Sequence, residues 1–475
     1  MSTGHVFSRR FENVPLRGPR RLPIVGWRGN LLRFFAKPYE GLLELARYGQ
    51  LVVIADCHPG FICAFGPEHN RQLLTERTVF DPFVTLLSAP PDSPLMRLSE
   101  NPFLRSGDEH RAHRRMLVPP FHRQRIARYR NAIVEHIDRD LTGWRPGARV
   151  EATTMMQRYT LGVMMRVVFG VDERRSAAEV ESFRLLLGGL LEALGSLGAM
   201  VFPVDLPGTP YRRLQSLAQR FVEAVTDLIE ARRACPKVDV LSDLIASRAE
   251  HDLPADAVLG QLFSLLTAGH ETTYAALSWT LMLLAAHPDV LGQLYDELHA
   301  ELGGDPPTLD QLRHLPFLQN VIRESLRILP TAPYGARSAR HPTTLGDVHL
   351  PQGSVVVFSA LITQHMPELF TAPWRFDPRR WETIDPGPYA YLPFGAGPRT
   401  CIGADFAFLE MQLTLATLLQ RAWPSLCPWT QIDARLRVTL RPHPGLPLVL
   451  VRAGSRLPRT TLRGSVTRVV RPPEC

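Results

Sequence analysis

The chain has 475 residues, 45% of them apolar and 21% charged, which excludes disordered, fibrous and small disulfide-scaffold classes and leaves length for a large core with an internal pocket. Its 54 basic and 46 acidic residues give a formal charge of +8, yet the only lysines are Lys37 and Lys237. With 42 prolines and 33 glycines, that arginine bias reads as a compositional habit, and no nucleic-acid partner is expected.

Residues 1–22 carry Arg9, Arg10, Arg17, Arg20 and Arg21 and no apolar stretch of a secretory signal, so a cytoplasmic protein is expected. Up to about residue 65 the chain is punctuated by Pro and Gly, with short strands predicted at Leu51–Ile54 and Phe61–Phe65. From about 66 to 300 helical spacing dominates, as in 214–233, where Leu217, Phe221, Val225 and Leu228 recur every three to four residues. The apolar stretch 185–202 contains Glu192 and four glycines, which argues against a membrane span. A long helix is predicted over 252–287, with Pro254 near its start and Pro288 at its end. It is apolar nearly all round and should be buried, so the polar insert Ala268-Gly-His-Glu-Thr-Thr273 in its middle needs a reason. After residue 330 short strands are predicted at 355–358, 436–440 and 446–451, with an amphipathic helix at 404–419 between them. The tail from Ser455 is expected to be disordered and basic. No repeat or linker divides the chain, so one domain is expected, with its core over about 15–451.

The six cysteines are scattered and never form a C-x-x-C pair, which argues against a zinc cluster or a disulfide framework. Cys401 stands apart, in Phe394-Gly-Ala-Gly-Pro-Arg-Thr-Cys-Ile-Gly403. Backbone amides of a glycine-dense loop and the N-terminus of the following helix both favour a thiolate. Glycines let a flat ligand approach, Phe394 can shield the sulfur from water, and Arg399 supplies a cation for a carboxylate.

That string resembles the haem-ligand loop of the cytochrome P-450 family of haem-thiolate monooxygenases, and further matches follow in family order. Glu324-Ser-Leu-Arg327 resembles the E-x-x-R helix motif, and Phe376-Asp-Pro-Arg-Arg-Trp381 resembles the loop whose arginine, here Arg380, interlocks with it. Gly107–Arg115 resembles the helix that grips the haem propionates through His110 and Arg114, and Pro330–Arg337 the stretch that adds Arg337. The polar insert resembles the oxygen-binding groove, with Ala268 and Gly269 opening the helix beside the haem and Glu271 and Thr272 delivering protons to bound dioxygen.

The resemblance implies a mainly α fold with small β-sheets, a large helical domain plus a small β-rich region. Haem b is then buried between the long central helix and the cysteine-loop helix. Cys401 is the iron ligand; Phe394, Gly395, Arg399, Ile402 and Gly403 join the propionate ligands around the cofactor; Glu324, Arg327 and Arg380 are structural. It also implies a soluble, bacterial-type, monomeric member without membrane anchor or fused reductase, taking electrons from a ferredoxin or flavodoxin with its reductase. The expected reaction inserts one atom of dioxygen into an apolar small molecule: a fatty acid, terpenoid, steroid or polyketide. A peroxygenase or isomerase that needs no dioxygen, and a non-catalytic haem sensor, are the alternatives. Leu86, Leu87, Phe103, Leu190, Phe202, Leu265 and Leu266 are candidate pocket residues, and Arg105 or Arg184 could anchor a substrate carboxylate.

Overall fold

The structure, a computed structural model, describes residues 16–471 except 24, 58–59, 84–88, 171–176, 238, 252 and 458–460. Leu86 and Leu87 lie outside the described residues. The chain divides into two compact units. The smaller draws on the chain up to Leu86, on Arg327–Trp374 and on Asp385–Cys401; the larger takes Leu87–Leu326, Arg375–Ile384 and Ile402 onward.

The smaller unit is built on a five-stranded sheet in the order Leu51–Ala55, Phe61–Ala64, Val355–Phe358, Gly335–Ala339, Phe80–Pro82. Phe61–Ala64 and Val355–Phe358 run parallel and every other pair is antiparallel. Side chains alternate between faces, as strand geometry requires. Val53, Ile62 and Val356 enter one apolar cluster with Leu73, Leu345 and Leu350, while Val52, Ile54, Cys63 and Val357 enter another with Phe34, Leu42 and Phe65. A sheet covered on both faces explains why these strands read as unbroken apolar runs.

The larger unit is mainly helical, around the central helix Ala257–Ala286, which is about 45 Å long at 1.5 Å per residue. It starts later than the expected residue 252, just after Asp256, and Pro288 follows its end. Trp279, fully buried, donates its indole N–H to the Leu440 carbonyl at 2.9 Å. Gly260 is obligatory, since a Cβ there would sit 2.1 Å from the Glu100 carbonyl oxygen. The predicted 214–233 helix lies within Pro210–Ala234, whose N-cap Thr209 hydroxyl accepts the Arg212 N–H. The 185–202 stretch is broken into Ala177–Leu194 and Leu197–Val201, and among the described residues no helix is long and apolar enough to cross a membrane.

Two expectations are corrected. The strand predicted over 436–440 is the turn of a hairpin, Asp433–Leu436 with Leu440–His443. The alternation of Leu436, Val438 and Leu440 misled, because Val438 sits exposed at the turn while Leu436 and Leu440 pair across it. The tail is not disordered over 461–471. Leu462, Val466, Val469 and Val470 are buried, and Ser465 exchanges hydrogen bonds with the hairpin, its hydroxyl accepting from Ala434 N–H and its N–H donating to Asp433 Oδ1. The 462, 466, 469/470 spacing was the signal.

Glu410, on the helix Ala404–Arg421, is fully buried and neither carboxyl oxygen has a hydrogen-bond partner among the described residues. Burial pushes its pKa well above the usual carboxylate range, so the folded protein holds a proton there that the unfolded chain releases. Its folded pKa being raised, stability is full below the unfolded carboxyl pKa and falls as pH rises toward the folded one, by up to about 1.4 kcal/mol per pH unit. Glu410→Gln is expected to flatten that decline. Thermal melts of both proteins across the pH range check it, and parallel curves refute it.

Candidate active site

In the smaller unit the cysteine loop is shaped by its glycines. Gly395 and Gly397 have φ of 68° and 71°, and a Cβ on Gly397 would lie 2.6 Å from the Leu74 carbonyl oxygen. The Cys401 N–H donates to the Phe394 carbonyl at 2.8 Å and closes the loop. Cys401 is exposed; Phe394 and Arg399 are half-buried. Arg337, on the strand Gly335–Ala339, lies over the Phe358 ring at 5.3 Å. Burial, then the neighbouring Arg399 guanidinium, pull the Arg337 pKa down to about 10, and among the described residues no carboxylate pairs with it. Two guanidiniums held together this way suit an anionic group that forks between them.

Arg327 is fully buried in the same unit. Its guanidinium donates to the Gln364 carbonyl at 2.8 Å and lies over Phe370, while the Gln364 amide donates back to the Arg327 carbonyl. Gln364 Oε1 accepts the Leu392 N–H at 2.7 Å, at the root of the cysteine loop. Gln364 is therefore a positioning residue that the sequence motifs do not mark.

In the larger unit Glu324 is fully buried, on the helix Pro316–Ile328. Oε1 accepts from Arg380 Nε at 2.9 Å and from the Asp377 N–H at 3.0 Å, and Oε2 from the Trp381 indole at 3.1 Å. The predicted Glu324–Arg380 pair is present, and Trp381 is an additional partner. His110 is buried and Arg114 half-buried one turn apart on the helix Gly107–Leu117. Ile402 and Gly403 are half-buried, and Gly403 is the N-cap of the helix Ala404–Arg421.

The central helix has six residues that are not buried: Phe263, Leu265, Thr267, Ala268, Gly269 and Thr272. Four of them, 265, 268, 269 and 272, fall on one face by the 3–4 spacing of a helix. The polar insert thus divides by direction. Thr272, on the open face, back-bonds to the Ala268 carbonyl at 2.5 Å, and Thr273 to the Gly269 carbonyl at 2.8 Å. His270 turns inward to the Thr160 hydroxyl, and burial pulls its pKa down to about 3, so it is neutral. Gly269 answers a packing demand, because a Cβ there would meet the Met164 methyl at 2.6 Å.

Glu271 is buried on another side of the helix. Its Oε2 accepts from the Tyr274 hydroxyl at 3.1 Å and the Thr439 hydroxyl at 3.4 Å. Arg441 donates to the Tyr274 oxygen at 3.0 Å. Burial raises the Glu271 carboxyl above its usual range, against the pull of Arg441 and the two hydroxyl donors.

The pocket candidates separate. Leu265 is on the open face, Leu190 and Leu266 are core, and Phe103 and Phe202 are exposed. The proposed carboxylate anchors are already engaged: Arg184 forks onto Glu181 at 2.6 and 2.9 Å, and Arg105 pairs with Glu100.

Known proteins resemble the chain over most of its length. The profile of the cytochrome P450 family matches residues 16–447. Cyclooctat-9-en-7-ol 5-monooxygenase of Streptomyces melanosporofaciens is 32% identical over 418 residues, covering 85% of this chain and 88% of that one. Pentalenene oxygenase of Streptomyces avermitilis is 31% identical over 415 residues, covering 85% and 90%. The solved structure of retinoic acid bound cyanobacterial CYP120A1 superposes with a TM-score of 0.78 at 26% identity, covering 91% of this chain and 98% of the other. A zebrafish cytochrome P450 with abiraterone reaches 0.73 at 23% identity, covering 87% and 98%, a likeness of fold. Since the matched span runs through the cysteine loop, the buried Glu324–Arg380 pair and the central helix, the chain belongs to the cytochrome P450 family.

Proposed function

We propose that this P450 monooxygenase oxidises an apolar terpenoid, with Cys401 as thiolate ligand of haem b and electrons from a separate ferredoxin or flavodoxin with its reductase. The residues fit that cofactor. An exposed thiol sits on a loop whose glycines leave room for a flat ligand, and a half-buried Arg337 beside Arg399 suits a carboxylate. Bound haem supplies the activation of dioxygen and the transfer of one oxygen atom to the substrate. In the smaller unit Arg337 and Arg399 would hold a propionate and Phe394 and Gly395 would line the thiolate side; His110, Arg114, Ile402 and Gly403 are the haem contacts that the family resemblance implies for the larger unit.

The open face of the central helix carries the substrate reading. Leu265, Ala268 and Gly269 present only apolar surface and backbone, and Thr272 brings the one hydroxyl, itself tied to the Ala268 carbonyl. Such a wall orients a hydrocarbon by shape. Two relatives are named for oxidising cyclooctat-9-en-7-ol and pentalenene, which supports a terpenoid over a fatty acid. The occupied state of Arg105 and Arg184 supports the same choice, since neither is left to anchor a carboxylate. Glu271 holds a proton in reserve and Thr272 passes it to the oxygen-binding side. That pair favours dioxygen chemistry over a peroxygenase, an isomerase or a sensor.

Optical titration of the ferric protein with terpenoids, fatty acids, steroids and macrolides tests the substrate class. A Soret shift toward high spin with terpenoids alone is expected; a shift with fatty acids alone refutes the reading. Thr272→Ala is expected to keep haem and substrate binding while coupled product formation falls about tenfold or more and peroxide appears. Full coupling in that variant would sink the proton-delivery role.

A further inference from the structure

Glu271 is anchored through one oxygen only. Oε2 holds Tyr274 and Thr439, while Oε1 makes no hydrogen bond to the described residues. The carboxyl lines a narrow cleft between the helix Ala177–Leu194 and the Asp433–His443 hairpin, bounded by Gly188, Leu191, Glu192, Arg437, Thr439 and Arg441. Its space is about that of one water molecule. At the rim, Arg441 and Glu192 approach to 3.7 Å, with Glu192 54% exposed and Arg441 21%. Polar groups therefore run without a break from solvent to the buried acid: Glu192, Arg441, Tyr274, Glu271.

We propose that this cleft is the path by which solvent protons reach Glu271, with Glu192 as the outer acid and the Arg441–Glu192 pair as its latch. The inference rests on the proton-relay reading of Glu271 and adds the route that replenishes it. Arg441 keeps its proton at any working pH, so it cannot pass one on. It holds Tyr274 against Glu271 on one side and closes the rim on the other. A half-exposed pair at 3.7 Å is weak and opens readily to let water in. Each proton that Glu271 releases toward Thr272 is then replaced at Oε1 by one from the water in the cleft. That water is restored from bulk through Glu192, so no net charge stays in the interior. Burial favours the protonated form of the Glu271 carboxyl, the form that has a proton to give.

Gly188 offers a clean test. It lines the cleft, and a Cβ there would meet nothing within 4 Å, so Gly188→Leu adds bulk to the cleft from the helix side while leaving every charged group of the path in the sequence. The haem-loaded ferric protein is moved into D2O, buffered below the raised Glu271 pKa, and its carboxylic-acid C=O bands are followed by infrared spectroscopy. Glu271→Gln identifies the Glu271 band, and Glu410, buried elsewhere, serves as internal reference through Glu410→Gln. In Gly188→Leu the Glu271 proton is expected to exchange about tenfold more slowly, with the Glu410 band unchanged. Under turnover, Gly188→Leu and Glu192→Gln are both expected to divert electrons to peroxide while substrate-induced spectral shifts stay as in the parent. Wild-type exchange and coupling in both variants, with Glu271→Gln still uncoupled, would overturn the path and leave the role of Glu271 standing. Full coupling in Glu271→Gln would overturn that role and the path with it.

Discussion

Replacing Cys401 with Ala is expected to abolish oxygen insertion while leaving the polypeptide as stable as before. The two effects separate because of where the side chain sits. Cys401 is exposed, and the bond that closes its loop is made by its backbone N–H to the Phe394 carbonyl, which Ala retains. The apoprotein should therefore melt within about 0.5 kcal/mol of the parent, as surface substitutions do. The loaded protein should lose the thiolate-type absorption of its ferrous carbonyl complex, and with it the electron donation that favours O–O cleavage. Melting curves of both apoproteins and optical spectra of both loaded forms check this. A thiolate-type spectrum surviving in Cys401→Ala would mean that another sulfur binds the iron.

Glu324→Ala is expected to do the opposite, breaking the scaffold before any chemistry is reached. The carboxylate is fully buried and satisfies three donors at once: Arg380, the Asp377 N–H and Trp381. Removing it takes the carboxylate away from the Arg380 guanidinium, itself only 7% exposed, and from the Trp381 indole N–H. Breaking a buried pair from one side costs about 3–5 kcal/mol. Such a loss is a large share of a typical domain's stability, so little haem-loaded protein should be recovered. Glu324→Gln keeps the volume and one acceptor oxygen and should fall between. Soluble yield and denaturation midpoints measure the series, and an Ala variant as stable as the parent would show the pair to be dispensable.

What could be read from the sequence was what lies within about ten residues of itself. The cysteine loop, the Glu324 to Arg327 spacing and the 268–273 insert are contiguous strings, and each maps to one loop or helix. Arg380 was reachable only because the resemblance supplied its distant partner. Trp381 and Gln364 were missed for the opposite reason: their hydrogen bonds cross 57 and 37 residues, and no local pattern marks them. Tyr274 escaped although it stands three residues from Glu271, since a tyrosine on an apolar helix reads as core until Arg441 is seen against its hydroxyl. The insert was read as one polar unit, whereas the helix aims His270 and Glu271 into protein and Thr272 to the open face. Arg105 and Arg184 are exceptions to that rule, since the partners that engage them, Glu100 and Glu181, stand only five and three residues away and were not weighed.

The parallel pairing of Phe61–Ala64 with Val355–Phe358 has a consequence in time. A ribosome that adds about 5–20 residues per second delivers the second strand roughly 15–60 seconds after the first. Through that interval the paired strands Leu51–Ala55 and Phe61–Ala64 lack the neighbour that covers the apolar Phe61–Ala64 edge. Hairpins of this length are marginal in water, and an uncovered edge is a template for pairing with other chains. The nascent polypeptide is therefore most vulnerable while its helical middle is still being made, and slow synthesis lengthens the exposure that limits its yield.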